Sequence, residues 1–228
     1  SVDIGFEYEF DKVRLLLYRQ NFYDAGALAY LANIQDGLNG ISIENKHRGE
    51  KVSVWNKLLF EFLYTKNQAG EPWSPETGSP YEPYYNHGQY ITGWSYKGTG
   101  LGTPFITTSE NIRTGLVTHP ADYFVNNRVL AFHLGCEGAI NNFNYLVKAS
   151  WSKNYGTYRT TDEEQSTDLP DPGAYGIFGE QEQLSTYLEV NRQLNKGLNL
   201  GFIGAFDIGE LYYNSFGIFL KASKTFKY

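Results

Sequence analysis

The chain has 228 residues, enough for one large all-β domain or two smaller ones, and carries a net charge of −6 with a mean hydropathy of −0.44. The acidic balance argues against a nucleic-acid partner, and no run approaches the roughly 20 apolar residues that a membrane-spanning helix needs. The single Cys136 excludes an internal disulfide, while aromatics reach 17%, with 19 Tyr and 15 Phe and no Met.

The first stretch, Val2 to Phe10, alternates apolar residues with Asp3, Gly5, Glu7 and Glu9. That period of two is a strand with one apolar and one wet face. No leader pattern precedes it, so the chain reads as mature, trimmed or a piece of something longer. A turn at Asp11-Lys12 leads to a second strand through Val13, Leu15 and Leu17. Residues 20–36 read as a loop that Asp36-Gly37 closes. Leu38 to Asn45 is a short third strand, and the polar run from Lys46 to Glu50 is a turn. The fourth strand, Val52 to Tyr64, points Leu58, Phe60 and Phe62 one way and Lys57 and Glu61 the other. Trp55, Leu59 and Leu63 interrupt its polar side, and a helix with the same residues is the alternative.

Residues 66–120 form a long loop that holds most of the Pro and is rich in Gly, Asn, Ser and Tyr. Strands over Ala121 to Cys136 and Ala139 to Lys153 follow, joined at Glu137-Gly138. A second polar loop covers 155–180, with Asp162, Glu163, Glu164, Asp168 and a turn at Pro170-Asp171-Pro172-Gly173. Gln181 to Leu194 pairs with Leu198 to Asp207 through Asn195-Lys196-Gly197. The last strand runs from Tyr212 to Tyr228. Tyr212, Phe216, Ile218, Leu220, Ala222, Phe226 and Tyr228 lie on one face, and Ser215, Gly217, Lys221 and Ser223 on the other.

About nine strands result, many of them 10–16 residues long. Globular strands usually run about 5–6 residues, whereas a tilted membrane strand needs about 9–11. Tight turns near residues 11, 47, 137 and 196 alternate with long loops at 20–36, 66–120 and 155–180. Short turns on one side and long loops on the other is the outer-membrane barrel arrangement, with the long loops extracellular. The predicted fold is therefore an antiparallel transmembrane β-barrel over residues 1–228. An odd strand count does not suit a single-chain bacterial barrel, so these strands read as the C-terminal part of a larger one.

The segment YYNHGQYITGWSYKGTGLGTPF at 84–105, with YRQNFYD at 18–24, NIQDGL at 33–38 and LFEFLYT at 59–65, resembles the capsule-assembly protein Wzi family, in its Bacteroidota branch. The resemblance implies a barrel of roughly eighteen strands in the cell outer membrane. It also implies a lectin-like, non-catalytic role in attaching capsular or surface polysaccharide. Partners are then that polysaccharide, outer-membrane lipid and other outer-membrane proteins; no cofactor is expected.

Tyr84, Tyr85, Asn86, His87, Tyr90, Trp94 and Tyr96 are the candidate carbohydrate-binding residues. Aromatic faces stack on the C–H faces of sugar rings, and Asn, His and Tyr satisfy sugar hydroxyls. The opposing reading is that they pack the loop against the barrel mouth or plug the lumen. Gly98-Thr99-Gly100-Leu101-Gly102 lacks phosphate-cradle spacing and reads as a turn. His47, His87, His119 and His133 have no metal-ligand spacing, so no metal site is expected. The acidic residues of 162–171 read as a solvated loop, the alternatives being a carboxylate pair for glycoside hydrolysis or a Ca²⁺ chelate. Lys148 falls on the polar face, whereas Arg128 shares the parity of Leu130 and Phe132. Two other functional readings stay open: a porin-like channel or barrel subunit of a larger complex, and a soluble β-sandwich lectin or glycosidase. Apolar residues on inner faces (Trp55, Leu59, Leu63, Ile203, Phe219) favour a plugged interior over an open channel.

Overall fold

The structure, a computed structural model, describes residues 1–22, 26–47, 54–70, 73, 75, 77, 81–163, 173–194 and 197–225. One nine-stranded antiparallel sheet, its strands in sequence order, dominates it. The strands are β1 (Val2–Glu9), β2 (Val13–Asn21), β3 (Gly37–Asn45), β4 (Trp55–Tyr64), β5 (Val129–Ile140), β6 (Phe143–Asn154), β7 (Gln181–Gln193), β8 (Leu198–Gly209) and β9 (Ser215–Lys224). Every neighbouring pair is consecutive among these nine, so the sheet is a plain up-and-down meander. Among the described residues β1 and β9 have one neighbour each, and the sheet stays open. Two short ribbons, Ser95–Tyr96 with Thr99–Gly100 and Thr107–Thr108 with Phe124–Asn126, ornament the long loop. No α-helix occurs among the described residues, and the helical alternative for 52–64 is not realised.

The register turns the alternation of single strands into two continuous faces. Phe6, Leu17, Ile41, Phe60, Leu134, Ala149, Thr186, Phe206 and Phe216 are successive cross-strand partners from β1 to β9. Eight of the nine are apolar, and rows above and below repeat the pattern, as with Phe62, Phe132, Trp151, Leu184 and Ile208. A one-residue slip in any pair would send its apolar set to the wrong face, so the pattern itself fixes the pairing. No second sheet covers this face among the described residues. Phe216 and Leu220 are 70% and 82% exposed, so the stacked layers of a sandwich are not formed.

The opposite face carries Glu7, Arg14, Tyr18, Glu61, His133, Lys148, Ser150, Ser185, Glu189, Asp207 and Lys221. Side chains there pair across strands. Ser185 and Ser215 both donate to Asp207, and the Lys221 ammonium lies 2.9 Å from Glu189. Lys148 projects with this polar set, its ammonium 5.7 Å from the Tyr187 ring centre. Of the apolar residues assigned here, Leu63 and Ile203 are buried, while Phe219 is exposed. Trp55 moves to the apolar side. A bulge between Trp55 and Lys57 pairs it with Gly138, whose parity is apolar.

Connections alternate by end. Those that follow β1, β3, β5 and β7 leave from one end of the sheet; those that follow β2, β4, β6 and β8, which span 22–36, 65–128, 155–180 and 210–214 in the sequence, leave from the other. The tight turn of β5 and β6 is three residues beyond Gly138, at Asn141, which takes a left-handed φ of 57°. Gly138 serves close approach instead. A Cβ there would stand 2.1 Å from the Val54 carbonyl oxygen. The strand expected over 121–136 is likewise broken. Asn127 and Arg128 leave the ladder because both their amides bond the Gly156 carbonyl. Tyr212 to Asn214 belong to a turn rather than to β9, with the Tyr212 amide on Gln183 and Asn214 receiving the Gly209 amide. Val52, Glu164, Asp168, the turn at 170–172, Asn195-Lys196, Phe226 and Tyr228 lie outside the described residues.

The buried apolar residues concentrate in the loops. Ile112, Val125, Phe178 and Leu211 bring three connections together. Ala27, Ala32 and Ala69 join two, and Tyr84, Ile106 and Phe124 form a further cluster with Phe22 against it. One cluster reaches into the sheet: Leu63, Val129 and Ala131, with Phe22, Leu38 and Phe105 packed on them. Leu38 and Leu63 are therefore apolar on a polar face because loop aromatics cover them.

Candidate functional site

The segment 84–105 divides into an anchored part and a displayed part. Tyr84 is only 3% exposed. Its hydroxyl donates to Asp36 at 2.7 Å and receives the Asn33 amide at 3.0 Å. Asp36 in turn accepts the backbone amides of Asn67 and Gln68, so the 22–36 and 65–128 connections meet on one carboxylate. Burial raises the Asp36 pKa to about 6, against the opposing pull of the Tyr84, Gln68 and Asn67 hydrogen bonds. Burial, and then the Asp36 charge, push the Tyr84 hydroxyl well above its ordinary value, so it stays a donor. Glu82 completes the hub, accepting the Ala27 amide and the Asn33 side chain.

Tyr85 is half-buried in a left-handed conformation, φ 71°. Its ring meets Phe124 edge-on at 5.3 Å, and its hydroxyl accepts the Thr103 amide. Asn86 mimics a strand bridge: Oδ1 accepts the Phe124 amide at 2.8 Å and Nδ2 donates to the Phe124 carbonyl at 2.9 Å. Of the seven candidates, Tyr84, Tyr85 and Asn86 therefore hold the loop rather than present a surface.

His87, Tyr90, Trp94 and Tyr96 do face outward. His87 Nδ1 accepts the amides of Gln89 and Tyr90, which closes a tight turn and leaves the ring proton on Nε2. The His87 and Tyr90 rings lie 4.8 Å apart. Trp94 is 65% exposed and Tyr90 70%, with Ile91 and Leu101 exposed beside them in the sequence. The backbone beneath is fixed. The Trp94 amide bonds the Tyr85 carbonyl, and the Trp94 carbonyl accepts the Leu101 amide. Gly98, φ 79°, turns the Ser95–Gly100 ribbon, so the glycine run is a turn as expected. Gly93 is required at the base, where a Cβ would stand 2.0 Å from the Tyr85 carbonyl oxygen. Large aromatic side chains held out by a rigid loop can stack on a flat ligand and offer hydrogen bonds at its edge.

Two buried polar centres carry no motif in the sequence. Arg128, 1% exposed, donates through Nε to the Lys66 carbonyl and through Nη2 to Glu163 at 2.6 Å. Its guanidinium also lies 3.9 Å from the Tyr158 ring centre. Lys66 reaches Glu163 as well, at 3.0 Å. Burial raises the Glu163 pKa, but Arg128 and Lys66 outweigh burial and leave it below the ordinary carboxylate value. Glu163 thus ties the 155–180 connection to the 65–128 connection rather than being merely solvated. Asp36 was legible only as turn chemistry beside Gly37; nothing in its neighbours announced a hub. The described residues contain no group of acidic, His or Cys side chains that could hold a metal. No family model, curated protein or solved structure matches the chain.

Proposed function

We propose that the chain is part of the wall of an outer-membrane β-barrel of the capsule-assembly type, which binds surface or capsular polysaccharide without catalysis. The observation that carries this reading is the cross-strand row that runs through all nine strands, apolar at every position but Thr186, on a face that no second sheet covers among the described residues. Lipid is the solvent that suits such a face, and the polar face then looks into the barrel. The interlocked connections at one end form the extracellular cap. On that cap His87, Tyr90, Trp94 and Tyr96 are offered to glycan.

The open edges at β1 and β9 support completion by further strands, from the same protein or from another subunit of an outer-membrane complex. The packing of Phe22 and Phe105 onto Leu38, Leu63 and Ala131 supports binding over conduction, because loop aromatics occupy the space a channel would need.

The test replaces Tyr90 and Trp94 together by Ala in the whole protein and measures polysaccharide retained on cells. Each stacking contact contributes about 0.5–1.5 kcal/mol, so retention falls several-fold. Unchanged retention, with the variant at wild-type level in the outer membrane, refutes the glycan role.

A further inference from the structure

Between segment 102–105 and the polar face of the sheet lies a cleft lined by none of the displayed aromatics His87, Tyr90, Trp94 and Tyr96. Two cavities, of about 350 and 260 Å³, share Glu61, Pro104, Phe105 and His133 as lining and so adjoin one another. Pockets for small ligands usually run about 300–1,000 Å³, so the larger falls inside that range and the smaller, at about 260 Å³, just below it, a scale that suits one ring rather than a longer chain.

The floor is built by register. Glu61, His133, Ser150 and Ser185 are successive cross-strand partners on β4, β5, β6 and β7. Directly opposed side chains stand about 4.5–5.5 Å apart at Cβ, which makes the row a shelf of closely spaced polar groups. His133 Nδ1 and the Ser150 hydroxyl are 2.7 Å apart. Glu61 accepts the Tyr18 hydroxyl on Oε1. Tyr18 reaches it across Gly40, where a Cβ would stand 2.0 Å from the Tyr18 ring. Gln183 and Asn154 extend the shelf on the side of the smaller cavity. The roof is of the opposite character: Pro104 and Phe105, with Tyr85 at one side and Tyr212 at the other.

A shelf of hydroxyls, amides and one imidazole both donates and accepts, as a ring bearing several hydroxyls does. An aromatic and proline roof suits the C–H face of the same ring. The carboxylates of Glu61 and, one strand beyond Ser185, Asp207 disfavour an anionic ligand, because like charges in a partly desolvated site repel. We propose that this cleft binds one ring of a neutral, hydroxyl-rich sugar, at a site separate from the exposed aromatics. The proposal deepens the glycan reading, and rests on it only for where the ring comes from.

Saturation-transfer NMR on the intact protein in detergent micelles tests it, with the methyl glycosides of glucose and galactose and the methyl glycoside of glucuronic acid as probes. A neutral glycoside receives saturation and the glucuronide does not. Glu61→Gln, which keeps the shape and removes the charged acceptor, weakens binding about tenfold or more. In a Tyr90→Ala, Trp94→Ala background, which removes the outer aromatics, the neutral-glycoside signal persists, and adding Ser150→Leu, which fills the shelf, abolishes it. If Ser150→Leu fails to fold, Glu61→Gln carries the test alone. Absence of transfer to either neutral glycoside overturns the proposal, as does a preference for the glucuronide. A signal lost in the Tyr90→Ala, Trp94→Ala background and kept in Glu61→Gln overturns it while leaving the outer aromatics as the glycan site. Cleft binding that persists when that double variant no longer retains polysaccharide on cells supports both sites.

Discussion

Leu134 sits at the middle of β5, on the apolar face, with Phe60 and Ala149 as its cross-strand partners. Phe219 is its counterpart on the polar face, in the middle of β9, and is more exposed in the isolated chain than Leu134. Arginine at either position is the same kind of change on opposite faces. If lipid covers the apolar face, Leu134→Arg places a charge near the bilayer midplane, at about 2–4 kcal/mol. That is roughly a 30- to 1,000-fold shift of the folding equilibrium. If water covers that face, a substitution at so exposed a position stays within about 0.5 kcal/mol. Phe219→Arg meets water inside the barrel in the first case and changes stability by less than about 1 kcal/mol. Equilibrium urea unfolding of the whole protein in phospholipid vesicles measures both differences. A Leu134→Arg cost below about 0.5 kcal/mol, or equal costs for the two variants, refutes the assignment of lipid to this face.

The cap makes further predictions. Asp36 has a folded pKa of about 6 against an ordinary 3.8, so the folded protein takes up a proton between those values. Its ionisation therefore opposes folding increasingly above about pH 4, the penalty levels off above about pH 6 at up to about 3 kcal/mol, and cap stability rises as pH falls from about 6 toward 4. Limited proteolysis of the loops between pH 4 and 7 follows this trend, and Asp36→Asn flattens it. Glu163 has the opposite sign: its folded pKa lies below the ordinary 4.5, so its contribution is present above that value and is lost on further acidification. Arg128→Met removes one of the two cations on Glu163 and the stack on Tyr158, destabilising the cap by about 2–3 kcal/mol, because Glu163 keeps Lys66 and partial access to water. Differential protease sensitivity of the 155–180 connection reads this out. Gly40→Ala displaces Tyr18 from Glu61 and costs about 1–3 kcal/mol, measured by urea unfolding and by loss of glycoside binding in the cleft.

The meander was legible because each strand writes its two faces into alternate residues, and β1, β6 and β8 do so almost without exception. Loop positions were legible from Pro, Gly and Asn. Errors fell where glycine or asparagine has more than one use. Gly138 read as a turn residue, yet it admits Val54 and Tyr145 to the sheet, and Asn141 makes the turn. Val125 and Val129 share one strand-like run, but the amides of Asn127 and Arg128 are claimed by Gly156, some 28 residues on from Arg128. Local pattern cannot announce a partner that distant. The same limit applies to the candidate site. Its aromatic composition was evident, but burial of Tyr84 depends on Asp36, and the use of Asn86 depends on Phe124. The polar shelf under Phe105 is assembled from residues on four strands and has no linear signature.

The unique thiol offers the most direct test of which solvent each face meets. Cys136 lies on the apolar face of β5 opposite Val147, and Lys148, the next residue, lies on the polar face opposite Gly135. A nitroxide on native Cys136, and another on Lys148→Cys in a Cys136→Ser background, report collisions with oxygen and with a water-soluble nickel chelate in bilayers. A lipid-facing exterior predicts that the label at 136 meets oxygen and is shielded from nickel, while the label at 148 shows the reverse. Equal access of nickel to both positions would contradict it.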